Sequence, residues 1–115
     1  MDADRARSLL LAEREEVQSL LRDTEAALRQ DLESEVDSGP GDAGDRAAPL
    51  TAEDTDSAVV ENLRGRLDAI ERALRRLDDG TYGRSVRSGV PIPDERLEAD
   101  PAAEVTVEEA RAEQR

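Results

Sequence analysis

The amino-acid sequence predicts a mainly α-helical protein with a long antiparallel coiled-coil hairpin and a small C-terminal module. Two stretches of helical hydrophobic periodicity flank a short segment rich in glycine, proline and acidic residues. Tyr82 is the single aromatic residue, so a thick globular core cannot form. Order must therefore come from a narrow apolar seam between helices.

The first helix is predicted from about Ala3 to Val36. Its apolar stripe consists of Leu10, Val17, Leu21 and Leu28, widened by Leu9, Leu20, Ala27 and Leu32. Arg14 and Thr24 interrupt this stripe with polar side chains.

The second helix has a cleaner heptad pattern, in which spacings of three and four residues alternate. Its apolar positions are Val60, Leu63, Leu67, Ile70, Leu74 and Leu77. Gly80 is expected to end this helix, and the acids and hydroxyls of Thr51–Asp56 are expected to cap its N-terminal turns.

Residues 1–80 are thus expected to form the hairpin, with an acidic tip at residues 37–50. Helix breakers interrupt the chain there, namely Gly39, Pro40, Gly41, Gly44 and Pro49. A parallel homodimeric coiled coil that uses the two seams separately is the alternative. A hairpin within a monomer is favoured, because closing so short a loop costs little entropy.

Residues 81–115 have a different pattern. Turn residues and short extended pieces come first. Two short helices follow, one from Asp94 to Ala99 and one that Thr106 caps.

Composition excludes several function classes. The chain has 29 acidic and 16 basic residues, all of the latter Arg, and a formal net charge of −13, which argues against direct DNA or RNA binding. Without His or Cys it lacks imidazole bases, thiolate nucleophiles and the usual zinc ligands, so no enzymatic activity, cofactor or metal is expected. No apolar run suits a signal peptide or a membrane span, and a cytoplasmic location is expected.

Two patterns near the predicted tip imitate ligand sites. Residues 39–44 match G-x-G-x-x-G, but a helix precedes them where a dinucleotide site needs a strand. Asp37, Asp42 and Asp45 lack the spacing of a calcium loop and its closing glutamate. Both patterns are interpreted as parts of a solvated loop.

Four polar residues in the C-terminal segment have the spacing of a four-cysteine zinc site, C-x2-C-x17-C-x2-C. They are Ser85, Ser88, Thr106 and Glu109. Three hydroxyls and one carboxylate do not replace four thiolates, so these residues are not expected to bind zinc.

The segments Leu77–Gly83 and Gly89–Ala99, together with Pro101, resemble the zinc-finger region of the DksA/TraR family of bacterial transcription regulators. The four polar residues fall, without a gap, where that family carries its cysteines. The resemblance is strongest over residues 63–101 and weak in the first helix. It implies the family's fold, a long antiparallel coiled coil with a small zinc-finger module that is degenerate here.

Members of that family insert the coiled coil into the secondary channel of RNA polymerase and act through acidic tip residues in a D-x-x-D-x-A motif. Asp42, Asp45 and Ala47 match this motif within the predicted tip. The resemblance therefore implies a regulator of transcription initiation that binds RNA polymerase. The competing hypothesis is a coiled-coil adaptor protein that has lost polymerase binding.

Two departures from the family pattern bear on this resemblance. Without zinc ligands, the C-terminal module must be partly disordered or rest on packing by Tyr82, Val86, Val90, Ile92, Leu97, Val105 and Val107. Some family members bind ppGpp through basic residues near the finger, where Asp100 stands in place of a frequent Arg. Loss of ppGpp binding is therefore expected, although Arg84, Arg87 and Arg96 lie nearby in the sequence.

Overall fold

The computed structural model describes the backbone of residues 1–37 and 47–114 and the side chains of residues 1–30 and 57–114. Its helices, in chain order, are α1 (Ala3–Asp37), α2 (Ala47–Asp79), α3 (Asp94–Ala99) and α4 (Val107–Glu113). Within those ranges there is no β-strand, and an isolated antiparallel bridge joins Arg84 to Pro91. No helix in the described part of the chain has both the length and the apolar character that crossing a bilayer requires. The predicted mainly α-helical fold is confirmed.

Helix α1 begins where the sequence predicts. The carboxylate of Asp2 accepts a hydrogen bond from the backbone N–H of Arg5 at 3.3 Å, as an N-cap does. The backbone carbonyl of Asp2 accepts from the N–H of Ala6 at 2.9 Å. The helix ends at Asp37, one residue beyond the predicted end.

Helix α2 begins earlier than predicted, at Ala47. The prediction that Thr51–Asp56 caps its start is therefore wrong, because these residues lie inside the helix. Pro49 falls in the first turn, where proline is tolerated because the first backbone amides of a helix have no acceptor within it. Residues 47–50 of the predicted tip are thus helical, and residues 38–46 lie outside the described residues.

The C-terminal end of α2 is a Schellman motif at Gly80, as the predicted end requires. Gly80 adopts a left-handed conformation with φ +78°. Its N–H donates to the carbonyl of Leu77 at 3.3 Å, and the N–H of Thr81 donates to the carbonyl of Arg76 at 2.9 Å. Two of the last carbonyls of the helix, those of Arg76 and Leu77, are thereby satisfied.

The chain forms two compact units, residues 1–15 with 67–115 and residues 16–66. In the first unit α1 and α2 run antiparallel, as two ion pairs between them show, and in the second unit a further ion pair joins the two helices. These are Arg7–Asp78 (2.9 Å) and Arg14–Glu71 (3.2 Å) in the first unit and Glu25–Arg64 (3.2 Å) in the second. The predicted hairpin is confirmed, whereas the division into residues 1–80 and 81–115 stays a prediction.

The buried positions of α1 and α2 match the predicted seam in part. Leu10 and Ile70 have no exposed surface, and Val60 and Leu74 are each 8% exposed. Leu20, predicted to widen the stripe, is instead 53% exposed. A pair of helices buries one narrow stripe of each partner, so residues on the flank of that stripe stay in water.

The C-terminal segment folds around a small apolar cluster of Ile92, Leu97 and Ala103, against which Met1 and Tyr82 pack. The prediction for the remaining apolar residues is wrong in three cases, because Val86, Val90 and Val107 are exposed. Buried residues of the loop before α4 take their place, namely Pro101, Ala102 and Ala103.

Gly65 lies in the interior of α2, and a Cβ added there meets no atom within 4 Å. Gly65→Ala should raise the free energy of unfolding by about 0.5–1 kcal/mol, because alanine loses less backbone entropy in a helix. Urea denaturation followed by circular dichroism measures the change. Ala69→Gly, in the same helix, is the converse control and should lower stability by about 1 kcal/mol. A lower stability for Gly65→Ala would contradict this.

Candidate functional site

The predicted tip residues lie largely outside the described structure. Asp42 and Asp45 are not among the described residues, and Ala47 is the first residue of α2, with a side chain that is not described. The helix ends on either side of the tip are described: α1 ends at Asp37 and α2 begins at Ala47. The role of Asp42, Asp45 and Ala47 in partner binding stays a prediction.

The structure brings together the four residues that share the zinc-site spacing. Ser85 and Ser88 lie in the turn that follows Arg84, while Thr106 is the N-cap of α4 and Glu109 lies in its first turn. Ser85 and Thr106 are polar yet buried, at 4% and 7% exposure. The four positions therefore converge in space, and we refer to them as the Glu109 cluster.

Glu109 accepts hydrogen bonds from two directions. The Ser85 hydroxyl donates to Oε2 at 3.0 Å, and the backbone N–H and the hydroxyl of Thr106 both donate to Oε1 at 3.0 Å. The N–H of Glu109 donates in turn to Oγ1 of Thr106 at 3.2 Å, which completes a capping box. Oγ of Ser85 also accepts from the backbone N–H groups of Arg87 and Ser88, at 3.1 and 3.3 Å.

A structural zinc ion, which the family resemblance implies, does not fit this cluster. Structural zinc sites use thiolates and imidazoles, whereas serine and threonine present protonated hydroxyls. Two of these hydroxyls already donate to the carboxylate of Glu109. Elsewhere among the described side chains, no group of three or more acidic residues could hold a metal ion.

The Glu109 cluster favours an ionised carboxylate. The hydrogen bond from the backbone N–H of Thr106, followed by that from the Ser85 hydroxyl, lowers the pKa of Glu109 to about 2 from an ordinary value of 4.5. A depressed pKa contributes stability that is complete above the unfolded-state value and is lost as the pH falls through the folded-state value. The contribution should therefore disappear between about pH 4.5 and pH 2.

We expect the stability difference between the wild type and Glu109→Gln to shrink over this range. At pH 6 the wild type should be the more stable protein, because only it carries the ionised group, and near pH 2 the two should converge. Urea denaturation at a series of pH values measures the free energy of unfolding of both proteins. If the free energies of unfolding of the two proteins fall in parallel with pH, another group is responsible for the acid sensitivity.

The three arginines near the position where some family members bind ppGpp all have intramolecular partners. The contacts are Arg84 Nη1 with the Gly89 carbonyl (3.3 Å), Arg96 Nε with the Val105 carbonyl (2.8 Å) and Arg87 Nη1 with the Glu113 carboxylate (3.0 Å). In the same region, the carboxylate of Asp100 accepts a hydrogen bond from the N–H of Ala102 at 3.3 Å. An anion bound here would compete with these contacts for the guanidinium groups and would face the carboxylate of Asp100.

Two partly buried polar side chains, those of Tyr82 and Arg76, were not predicted from the sequence. The hydroxyl of Tyr82 donates to the carbonyl of Pro101 at 2.7 Å, and burial raises the pKa of this hydroxyl. Nη2 of Arg76 is buried and has no hydrogen-bond partner among the described residues, and burial lowers the pKa of its guanidinium. The heptad pattern could not single out Arg76, because the adjacent Arg75 has the same side chain and is exposed.

Two curated relatives are similar to most of this chain. General stress protein 16O of Bacillus subtilis is 38% identical over 101 residues, which are 86% of this chain and 60% of that protein. The RNA polymerase-binding transcription factor DksA of Caulobacter vibrioides is 35% identical over 99 residues, which are 86% of this chain and 66% of that protein. The chain thus spans just under two thirds of the length of these relatives. No family model matches the sequence.

A solved structure is similar over nearly the whole chain. The transcription factor DksA2 from Pseudomonas aeruginosa superposes with a TM-score of 0.80 and is 32% identical in sequence. The superposition covers 97% of this chain and 82% of that one. The similarity therefore includes the helices and the C-terminal segment that holds the Glu109 cluster.

Proposed function

The chain belongs to the DksA family, and on this premise we propose that it is a transcription regulator that binds RNA polymerase. The observation that carries the proposal is the similarity to the RNA polymerase-binding factor of Caulobacter vibrioides, along 86% of this chain. The likeness in fold to DksA2 supports it further. This regulator acts as a monomer, without enzymatic activity and without direct contact to DNA or RNA.

The proposed mode of binding is insertion of the hairpin tip into the secondary channel of the polymerase. Asp42, Asp45 and Ala47 match the family's tip motif and lie at or next to the connection between α1 and α2. The antiparallel course of the two helices, which the Arg7–Asp78 and Arg14–Glu71 ion pairs show in the first unit, supports a tip at this connection. Two carboxylates there can change the electrostatic potential near the catalytic centre of the polymerase.

This regulator is proposed to work without zinc and without ppGpp. The donor set of the Glu109 cluster is unsuited to zinc, and Asp100 would repel a polyphosphate. Metal analysis of protein purified without added zinc should find none in stoichiometric amount. One zinc per chain that is lost on Ser85→Ala with Ser88→Ala would contradict this proposal.

The double substitution Asp42→Asn with Asp45→Asn tests the tip. We expect the variant to bind RNA polymerase but to lose the effect of the wild type on initiation, because the two carboxylates are removed at constant size. Purified transcription assays and co-purification with polymerase measure the two properties.

The matched control is Asp23→Asn with Asp68→Asn, which changes the net charge equally at exposed positions of α1 and α2. This control should act like the wild type. If the tip variant also acts like the wild type, the tip mechanism is wrong. If the wild type itself never binds polymerase, the adaptor hypothesis replaces the proposed function.

A further inference from the structure

Helix α4 is attached to the protein by polar contacts, since none of its residues is buried. A helix of seven residues is not stable by itself in water. Val107 at its start, an apolar residue that could anchor it, is 36% exposed. Ala110 is only partly buried, so hydrogen bonds and ion pairs are expected to supply much of the attachment.

Two acidic residues of α4 contact the loop at residues 85–88. Glu113 forms an ion pair with Arg87 in which both side chains are about half exposed, and such surface pairs contribute little. Glu109 accepts from the hydroxyl of Ser85, a buried residue, and hydrogen bonds to a charged acceptor are among the stronger ones. Of these two contacts, the one through Glu109 is therefore expected to dominate.

We propose that Glu109 is a metal-free cross-link that fastens α4 to the loop at residues 85–88. One carboxylate oxygen binds the loop through Ser85, and the other caps the helix through Thr106. A single side chain thus joins the two segments that a four-cysteine module joins through a metal ion. The fold of this segment consequently depends neither on metal supply nor on the oxidation state of thiols.

This inference concerns the folding of the chain alone, so its failure would leave the proposed polymerase binding untouched. Ser85→Ala removes the main hydrogen bond from the loop to Glu109 and leaves the capping box between Thr106 and Glu109 in place. It also removes the acceptor of the Arg87 and Ser88 N–H groups, so a double-mutant cycle must separate the two effects. Amide hydrogen exchange over residues 107–113 of the full chain, measured by mass spectrometry, reports whether α4 stays docked. We expect exchange to become about tenfold faster, or more.

A double-mutant cycle separates the cross-link from independent effects. If Ser85 acts mainly through Glu109, Ser85→Ala should speed exchange by a clearly smaller factor in the Glu109→Ala background than in the wild type, because only the contacts with the Arg87 and Ser88 N–H groups are left to lose there. Glu113→Ala is the matched control on the same helix and should change exchange by less than about twofold. Unchanged exchange in Ser85→Ala, or effects that multiply in the double variant, would overturn the proposal.

A second variant keeps the test decisive if the alanine variants fail to fold. Ser85→Cys, Ser88→Cys, Thr106→Cys and Glu109→Cys together place four thiols at the converging positions. With Zn²⁺ as the probe, this variant should bind one ion per chain and recover slow exchange over residues 107–113, whereas without metal α4 should exchange fast. Failure to bind zinc, or slow exchange without it, would overturn the proposal.

Discussion

Ile70→Asp should leave the chain unfolded at room temperature and neutral pH. Ile70 has no exposed surface in the seam of α2, so the new carboxylate is buried without a partner, which costs about 3–5 kcal/mol. Loss of the apolar side chain removes about 2 kcal/mol more. Small domains have net stabilities of about 5 kcal/mol and upward, so the sum is comparable to the whole. Far-UV circular dichroism at 25 °C should show loss of the helical signal.

The control for Ile70→Asp is Val59→Asp, which introduces the same charge at a position of α2 that is 40% exposed. It should retain the helical spectrum, because its carboxylate stays hydrated. A folded Ile70→Asp variant would mean that the seam of the first unit is not closed around this residue.

Leu97→Ala should lower the free energy of unfolding by about 2–5 kcal/mol, the usual range for truncating a fully buried leucine. Leu97 is 1% exposed and belongs to a cluster whose other buried members are Ile92 and Ala103. So small a core cannot repack around the cavity that the truncation leaves. Tyr82 packs against this cluster and is the single aromatic residue, so near-UV circular dichroism reports on this segment alone.

Leu20→Ala makes the same chemical change at a position that is 53% exposed. Its effect should be within about 0.5 kcal/mol, as for other surface substitutions. If Leu97→Ala lowers the free energy of unfolding no more than Leu20→Ala does, or if it leaves the near-UV signal of Tyr82 intact, the cluster of Ile92, Leu97 and Ala103 does not organise the C-terminal segment.

The helices could be predicted well wherever a local signal marks their ends. Asp2 before α1, Gly80 after α2 and Thr106 before α4 each satisfy backbone groups at a helix end, and such signals are readable in a short stretch of sequence. The start of α2 at Ala47 is not predicted, because Pro49 is typical of a helix break. Proline is compatible with a first turn, and the sequence alone does not tell a first turn from an interior.

Burial was harder to predict than secondary structure. Leu20 and Val86 are apolar but exposed, whereas Ala73 and Ala102 are small and buried, so hydrophobicity alone does not determine which residues form the core. Whether a residue is buried depends on how closely two backbone segments approach, and that distance depends on residues far apart in the sequence.

In the candidate site, too, local features could be predicted from the sequence and long-range contacts could not. The i, i+3 spacing of Thr106 and Glu109 is a local signal, because it matches the capping box that these residues form at the start of α4. The hydrogen bond between Ser85 and Glu109 spans 24 residues and could not be predicted from spacing. The role of Asp42 in the tip stays a prediction.

The ion pairs between α1 and α2 also select one alignment of the two helices over its neighbours. A slip of one heptad in one direction would place Glu25 opposite Glu71, and a slip in the other would place Arg14 opposite Arg64. Either misalignment keeps the apolar seam in phase, but it replaces the three opposite-charge pairs by one such pair, Arg14 with Asp78 or Arg7 with Glu71, next to one pair of like charges. The pairs therefore penalise mispaired states that hydrophobic contacts alone would tolerate, whatever they contribute to the native state itself.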